Sequence, residues 1–117
     1  MERHVVCRQD ELKPGEMRRV EAGRKSVALV CLEDGSYRAI LETCPHEGGP
    51  LSRGKAEKMW VSDEAREHRP GEKDVVVCPW HNFEYDLETG LSITEPDRLR
   101  TRTFEAQVED GQVVVYA

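Results

Sequence analysis

Two short segments that each pair a cysteine with a histidine place the strongest constraint on the fold of this chain. The first reads CPHEGGPLSRG over residues 44–54, and the second reads CPWHNFEYDLETG over residues 78–90. Residues 47–77, 31 in number, separate the first histidine from the second cysteine. A fold that uses both pairs at one site must therefore bring two distant loops together in space.

The four residues of these pairs are candidate metal ligands. Cys44, His46, Cys78 and His81 could bind one Zn²⁺ tetrahedrally, or a [2Fe–2S] cluster with the cysteines on one iron and the histidines on the other. In an extended backbone, residues i and i+2 project the same way roughly 6–7 Å apart. The short Cys44-x-His46 spacing therefore suits ligands of two different irons better than ligands of a single ion.

The residues around these pairs are suited to an iron–sulfur cluster. The sulfurs of such a cluster need backbone N–H donors close by, and Gly48 and Gly49 allow a close backbone approach because they carry no Cβ atom. Pro45 and Pro79 each follow a cysteine directly and stiffen the loop. Tyr85 could turn its hydroxyl toward a cysteine sulfur, which would raise the reduction potential.

Period-two alternation and β-branched residues dominate the rest of the chain, which predicts an all-β domain. Asp34-Gly35 and Asp110-Gly111 predict two-residue hairpin turns, and Thr89-Gly90 predicts a looser turn. The predicted strands cover residues 4–8, 17–21, 26–33, 37–42, 75–77, 83–86, 103–109 and 112–116.

Size and charge limit the possible functions. With 117 residues the chain is expected to form a single domain over residues 1–117, and its net charge of −6 argues against nucleic acid as a partner. The longest apolar run, residues 27–32, is too short to cross a bilayer, and the N-terminus has no signal-peptide pattern. We therefore expect a soluble, cytoplasmic protein without a membrane partner, and cysteines that bind metal rather than form disulfides.

Two polar segments depart from the general pattern. Residues 55–73 are highly charged with little apolar periodicity, which predicts a surface insertion with a short helical turn over residues 62–67. Arg98, Arg100 and Arg102 alternate with apolar or threonine residues, which predicts the solvated face of a strand, with a docking patch for an acidic protein partner as the alternative.

The two cysteine–histidine segments resemble the cluster-binding loops of Rieske [2Fe–2S] proteins, whose pattern is Cys-x-His followed by Cys-x-x-His. The resemblance implies an antiparallel β-sandwich with the two loops at one tip and one [2Fe–2S] cluster per chain. It further implies that Cys44 and Cys78 bind the buried iron, and that His46 and His81 bind the outer iron near the surface.

Other features of the family can also be placed on this chain. The resemblance puts Pro96 in a third loop that covers the cluster, and it requires Asn82, where glycine is common, to adopt a left-handed backbone conformation. High-potential members have a disulfide at the positions of Gly49 and Trp80 and a serine at that of Phe83. Because these are absent, we expect a potential in the lower half of the Rieske range, which is roughly −150 to +300 mV.

The resemblance to single-domain Rieske ferredoxins implies one-electron transfer. The chain would be the ferredoxin component of a multicomponent oxygenase or a related oxidoreductase, with a flavin-dependent reductase as electron donor and no substrate turnover of its own. Two alternatives remain at this point, a redox-sensing regulatory module and a zinc-binding interaction module.

Several remaining residues have simpler interpretations. Cys7 and Cys31 lie in apolar strands and are predicted to be inert core thiols. His4 is expected to be solvated at a frayed terminus. Trp80, between the ligands of the second loop, is predicted to shield the cluster from water.

Overall fold

A computed structural model describes residues 1–46, 48–62, 68–80 and 82–117 of the chain, and for residues 59–62 and 68–72 it describes the backbone alone. Two three-residue 3₁₀ helices, Gln9–Glu11 and Leu51–Arg53, lie in these ranges, where no helix is long and apolar enough to cross a membrane. The strands in the same ranges are β1 Arg3–Arg8, β2 Met17–Ala22, β3 Lys25–Cys31, β4 Tyr37–Leu41, β5 Lys55–Ser62, β6 His68–Val77, β7 Glu84–Asp86, β8 Thr103–Glu109 and β9 Gln112–Tyr116.

The strands form two antiparallel sheets. The larger has six strands in the order β1-β9-β8-β4-β3-β2, and the smaller has three in the order β5-β6-β7. Each named pairing within the two sheets is antiparallel. The predicted all-β antiparallel fold is therefore confirmed.

Strand β3 is buried on both faces and separates two hydrophobic cores. Val27 and Leu29 point into the first core, whereas Ala28 and Val30 point into the second, as the two-residue period of a strand requires. The second core also contains Leu51, Val76 and Leu87 together with Cys44, Cys78 and Tyr85. The side chains that matter for the candidate site are thus anchored in a core shared by both sheets.

The two Asp-Gly turns differ from each other. At the β8–β9 turn Asp110 and Gly111 have φ of 51° and 75°, the two-residue turn that was predicted. At the β3–β4 turn only Gly35 has a positive φ, and the Leu32 N–H donates to Ser36 O at 2.8 Å. That turn is therefore a three-residue loop rather than the predicted two-residue one.

Residues 55–62 and 68–73 form more regular structure than the sequence predicted. Strands β5 and β6 pair from Lys55 opposite Val77 to Ser62 opposite His68, so the described part of the predicted surface insertion consists of paired antiparallel strands. Backbone pairing and the Lys58–Asp74 ion pair at 3.0 Å hold these strands, and residues 55–58, 73 and 74 are exposed or half-buried, so they give no alternating pattern. Ser62 ends β5, and the rest of the predicted helical turn, residues 63–67, lies outside the described residues.

The predicted strand at the three alternating arginines needs correction. Residues 96–98 form a turn and β8 begins only at Thr103, so Arg98, Arg100 and Arg102 precede that strand. All three are exposed, as predicted.

The expectation for His4 also needs correction. His4 is not solvated at a frayed end, because it pairs with Val115 in the sheet and its side chain is 19% exposed. Its ring packs over Gly23, where a Cβ atom would come within 2.9 Å of it.

Candidate metal centre

The first loop folds into a tight turn around Cys44. The Cys44 N–H donates to Gly49 O at 2.8 Å, and the Gly48 N–H donates back to Cys44 O at 2.8 Å. Gly48 takes a φ of 79°, a conformation that glycine adopts without steric cost. These two hydrogen bonds fix the backbone on both sides of the cysteine.

Glu42 and Ser52 close the base of this loop. The Glu42 carboxylate accepts hydrogen bonds from the Ser52 N–H at 2.7 Å and the Ser52 hydroxyl at 2.6 Å. The Leu51 N–H donates to Glu42 O at 2.8 Å, and Glu42 is only 5% exposed. Sequence reasoning missed this pair, because a glutamate and a serine ten positions apart give no pattern that links them.

The second loop connects β6 to β7. The Cys78 N–H donates to Phe83 O at 2.8 Å, which closes the loop. Asn82 has a φ of 58°, so the expected left-handed conformation is confirmed. His81, the second histidine of the predicted ligand set, lies outside the described residues.

The two loops meet at Gly49. A Cβ atom at this position would lie 2.9 Å from Cys78 Sγ and 3.0 Å from Trp80 Cγ, which is closer than real contacts allow. A second contact joins His46 and Phe83, whose ring centroids are 4.1 Å apart. The predicted meeting of the loops is thus confirmed, and the His46–Phe83 contact is an addition that the sequence did not indicate.

Tyr85 contacts the Cys44 sulfur of the first loop from within the second hydrophobic core. Its hydroxyl lies 3.1 Å from Cys44 Sγ, and the tyrosine is completely buried. Burial, followed by the hydrogen bond to Cys44, raises the pKa of the Tyr85 hydroxyl, so it keeps its proton at physiological pH. The predicted approach of this hydroxyl to a cysteine sulfur is confirmed.

Burial divides the candidate ligands into an inner and an outer group. Cys44 is 2% exposed and Cys78 is 0% exposed, whereas His46 is an exposed residue. Trp80 is 48% exposed, with one side of its indole against the Gly49 backbone. Two buried thiols and an exposed imidazole therefore belong to the two loops that meet at Gly49.

A comparison of the sequence with protein families identifies the group to which this arrangement belongs. The sequence model described as "Rieske [2Fe-2S] domain" matches residues 2–105, a range that includes both loops. The chain belongs to the Rieske [2Fe–2S] domain family. The family predicted from the two cysteine–histidine segments, and its one [2Fe–2S] cluster, are therefore confirmed.

Two relatives show the range of proteins that contain this Rieske domain. The ferredoxin component of biphenyl 2,3-dioxygenase from Rhodococcus jostii (strain RHA1) is 32% identical over 110 residues, which cover 94% of this chain and 88% of that protein. Human apoptosis-inducing factor 3 is 32% identical over 113 residues, or 97% of this chain. The chain spans only 16% of the length of this second relative.

Solved structures show the same Rieske fold. A chain from the complex of reduced oxygenase and oxidized ferredoxin in carbazole 1,9a-dioxygenase aligns with a TM-score of 0.72 at 26% identity, covering 96% of this chain and 99% of that one. A protein from Mycobacterium tuberculosis, provisionally assigned as an NADH-dependent nitrite reductase small subunit, aligns with a TM-score of 0.79 at 26% identity, covering 97% of this chain and 93% of that one.

The residues of the Rieske site fit a [2Fe–2S] group. Cys44 and Cys78 form no disulfide, and thiolates are the ligands such a cluster requires. The backbone at Gly49 lies against the Cys78 sulfur with no Cβ atom between them. Tyr85 supplies a hydroxyl to the other sulfur.

The remaining cysteines lie away from the Rieske loops. Cys31 belongs to the first hydrophobic core and Cys7 packs against it, and desolvation raises the pKa of both thiols. They match the prediction of inert core residues, because a raised pKa lowers the reactive thiolate fraction.

Pro96 is exposed and lines a cavity with Lys73 and Asp86, and its role as cover of the cluster stays a prediction.

Proposed function

We propose that this chain is a one-electron carrier, the ferredoxin component of an oxygenase system or of a related oxidoreductase, and that it forms a single Rieske domain over residues 1–117. Cys44 and Cys78 would bind one iron of the cluster, and His46 and His81 the other. The observation that carries the proposal is that two buried thiols and an exposed imidazole belong to two loops that meet at Gly49.

The cluster supplies a centre that accepts and returns a single electron. The surrounding residues would set the reduction potential of the cluster and the surface through which the electron enters or leaves. The Tyr85 hydroxyl lies 3.1 Å from Cys44 Sγ and would donate a hydrogen bond to a Cys44 thiolate, which favours the more negative, reduced state. Phe83 covers one side of the His46 ring. Because His46 is exposed, a partner would have access to that ring.

The relatives support the ferredoxin role. The biphenyl 2,3-dioxygenase relative is a ferredoxin component, and the carbazole 1,9a-dioxygenase structure contains an oxygenase together with a ferredoxin. By analogy, an oxygenase would accept the electron from this chain, and a flavin-dependent reductase would donate it. The chain would turn over no substrate alone, and the family match favours this role over a zinc-binding module.

A second candidate function is that of the small subunit of a nitrite reductase. The Mycobacterium tuberculosis protein aligns with a TM-score of 0.79, above the 0.72 of the carbazole 1,9a-dioxygenase chain, at the same identity of 26%. Reconstitution separates the two roles. A chain that restores nitrite reduction to a nitrite reductase large subunit, and transfers no electron to an oxygenase, would favour the second candidate.

Serine substitutions test the proposed ligands. Cys44→Ser and Cys78→Ser should each abolish iron and sulfide incorporation, and both variants should unfold at lower temperature because the cluster joins loops that are distant in sequence. Cys7→Ser is the matched control, since Cys7 lies in β1 outside the candidate site and should keep a full cluster. Full iron and sulfide in either ligand variant would refute the assignment.

A further inference from the structure

An open cavity of about 520 Å³ lies beside the first loop of the Rieske site. Pro45, which follows Cys44 directly, forms part of its lining together with Thr43. The segment that leads into β8 contributes Arg100, Thr101 and Arg102 to the same lining. We call this cavity the arginine groove. It shares the loop that carries two of the proposed ligands.

The two arginines of the groove have no acidic partner among the described residues. Among the described residues, neither Arg100 nor Arg102 forms an ion pair, although Arg98 nearby is paired with Glu95 at 3.1 Å. The Arg102 guanidinium stacks over the Phe104 ring at 5.1 Å from the centroid. Stacking fixes the plane of a guanidinium and leaves the N–H groups at its edge available to an acceptor.

Between these arginines lies a hydroxyl that has no hydrogen-bond partner among the described residues. Thr101 is 8% exposed, and its Oγ1 atom is buried. Buried hydroxyls are almost always hydrogen-bonded, because an unpaired one lowers stability. Because this oxygen is enclosed, an acceptor in the groove would not reach it, so the two arginines alone would hold such a group.

We propose that the arginine groove binds a glutamate or aspartate carboxylate on an acidic segment of the electron-transfer partner. This inference rests on the proposed electron-carrier function, because only such a carrier needs a partner beside the cluster. Carboxylates match the fork of an arginine guanidinium. A partner docked here would contact Pro45 and so lie next to His46, where the electron is expected to leave.

The charge of the chain favours a short acidic segment over a polyanion. The net charge is −6, so extended phosphate polymers would be repelled outside the groove, whereas a few carboxylates can pair with Arg100 and Arg102 locally. The open form of the cavity and its position at the loop also suit a protein segment.

A fluorescein-labelled peptide of six glutamates serves as the probe, with binding measured by fluorescence anisotropy. We expect saturable binding at low ionic strength that weakens as salt is added. The double variant Arg100→Gln/Arg102→Gln should bind at least about tenfold more weakly, the change that two lost charge-assisted contacts would produce. Arg98→Gln removes one charge outside the groove lining and should change the affinity less than about twofold.

A third variant uses the buried hydroxyl as a control. Thr101→Val should change the affinity for the peptide less than about twofold, because the enclosed hydroxyl does not contact the groove's occupant. Its melting temperature should not fall, because the substitution removes a polar group that has no partner among the described residues. A loss of affinity as large as that of the double arginine variant would show that the arginines do not determine binding and would overturn the site as described.

Other outcomes would also overturn the proposal. Absence of saturable binding would show that the groove does not hold the peptide. Equal losses of peptide affinity in Arg98→Gln and in the double variant would show that the binding is not specific to the groove. Displacement of the peptide by inorganic phosphate at lower concentrations than the peptide itself requires would identify a small-anion site instead. The visible spectrum of each variant separates this inference from the proposed function: lost binding with an intact cluster concerns the groove alone, while a colourless wild-type chain refutes the electron-carrier function.

Discussion

Replacing Tyr85 with phenylalanine should lower the reduction potential of the cluster. The hydroxyl lies 3.1 Å from Cys44 Sγ, and the ring is completely buried, so phenylalanine keeps the packing and removes only the hydrogen bond. Reduction makes the sulfur more negative and strengthens this bond by about 1–2 kcal/mol. For a one-electron couple, 59 mV corresponds to a tenfold change in the equilibrium constant, which gives a fall of about 40–90 mV.

Protein-film voltammetry of Tyr85→Phe measures this change directly. Tyr37→Phe is the matched control, because Tyr37 is also buried but its hydroxyl donates to Gln9 O at 2.9 Å, in the other core. The control should keep the wild-type potential. A fully loaded Tyr85→Phe variant whose potential moves no further than that of the control, or moves upward, would refute the role of this hydroxyl.

Three further predictions concern the loops and the fold. Glu42→Leu leaves the Ser52 donors without their acceptor and should lower the free energy of unfolding by about 2–4 kcal/mol, with Glu42→Gln milder; equal melting temperatures for wild type and Glu42→Leu would contradict this. Gly49→Ala places a Cβ atom 2.9 Å from Cys78 Sγ and should reduce the iron content per chain, so full loading would count against the close approach. Burial raises the pKa of Tyr37 to about 12, so between pH 10 and 12 the unfolded chain loses a proton that the folded chain keeps. Stability should therefore fall by up to about 1.4 kcal/mol per pH unit in chemical denaturation, and Tyr37→Phe should fall less steeply.

The fold could be predicted from sequence where burial leaves a repeating pattern. Strand β3 illustrates this. Both of its faces are buried, and the continuous apolar run at residues 27–32 indicates such a strand in the sequence. The Asp110-Gly111 turn was equally predictable, because few residues other than Asp, Asn and Gly take two consecutive positive φ angles.

Pattern reasoning failed where hydrogen bonding, rather than burial, determines the structure. Strand β5 and the part of β6 before Val75 are held by their backbone ladder and by ion pairs such as Lys58–Asp74, and their sequence carries no period-two signal. In the candidate site, the two loops were recognisable from their cysteines and histidines. The Glu42–Ser52 pair was not, because it depends on the chain path around the loop.

The central claim is that both loops together hold a two-iron cluster, and analysis of anaerobically purified protein tests it most directly. Metal and sulfide determination, combined with visible absorption and EPR of the dithionite-reduced sample, is the measurement. The account predicts a coloured protein with two irons and two sulfides per chain and an anisotropic EPR signal of low average g value. A colourless protein that contains one zinc per chain and gives no EPR signal after reduction would contradict it.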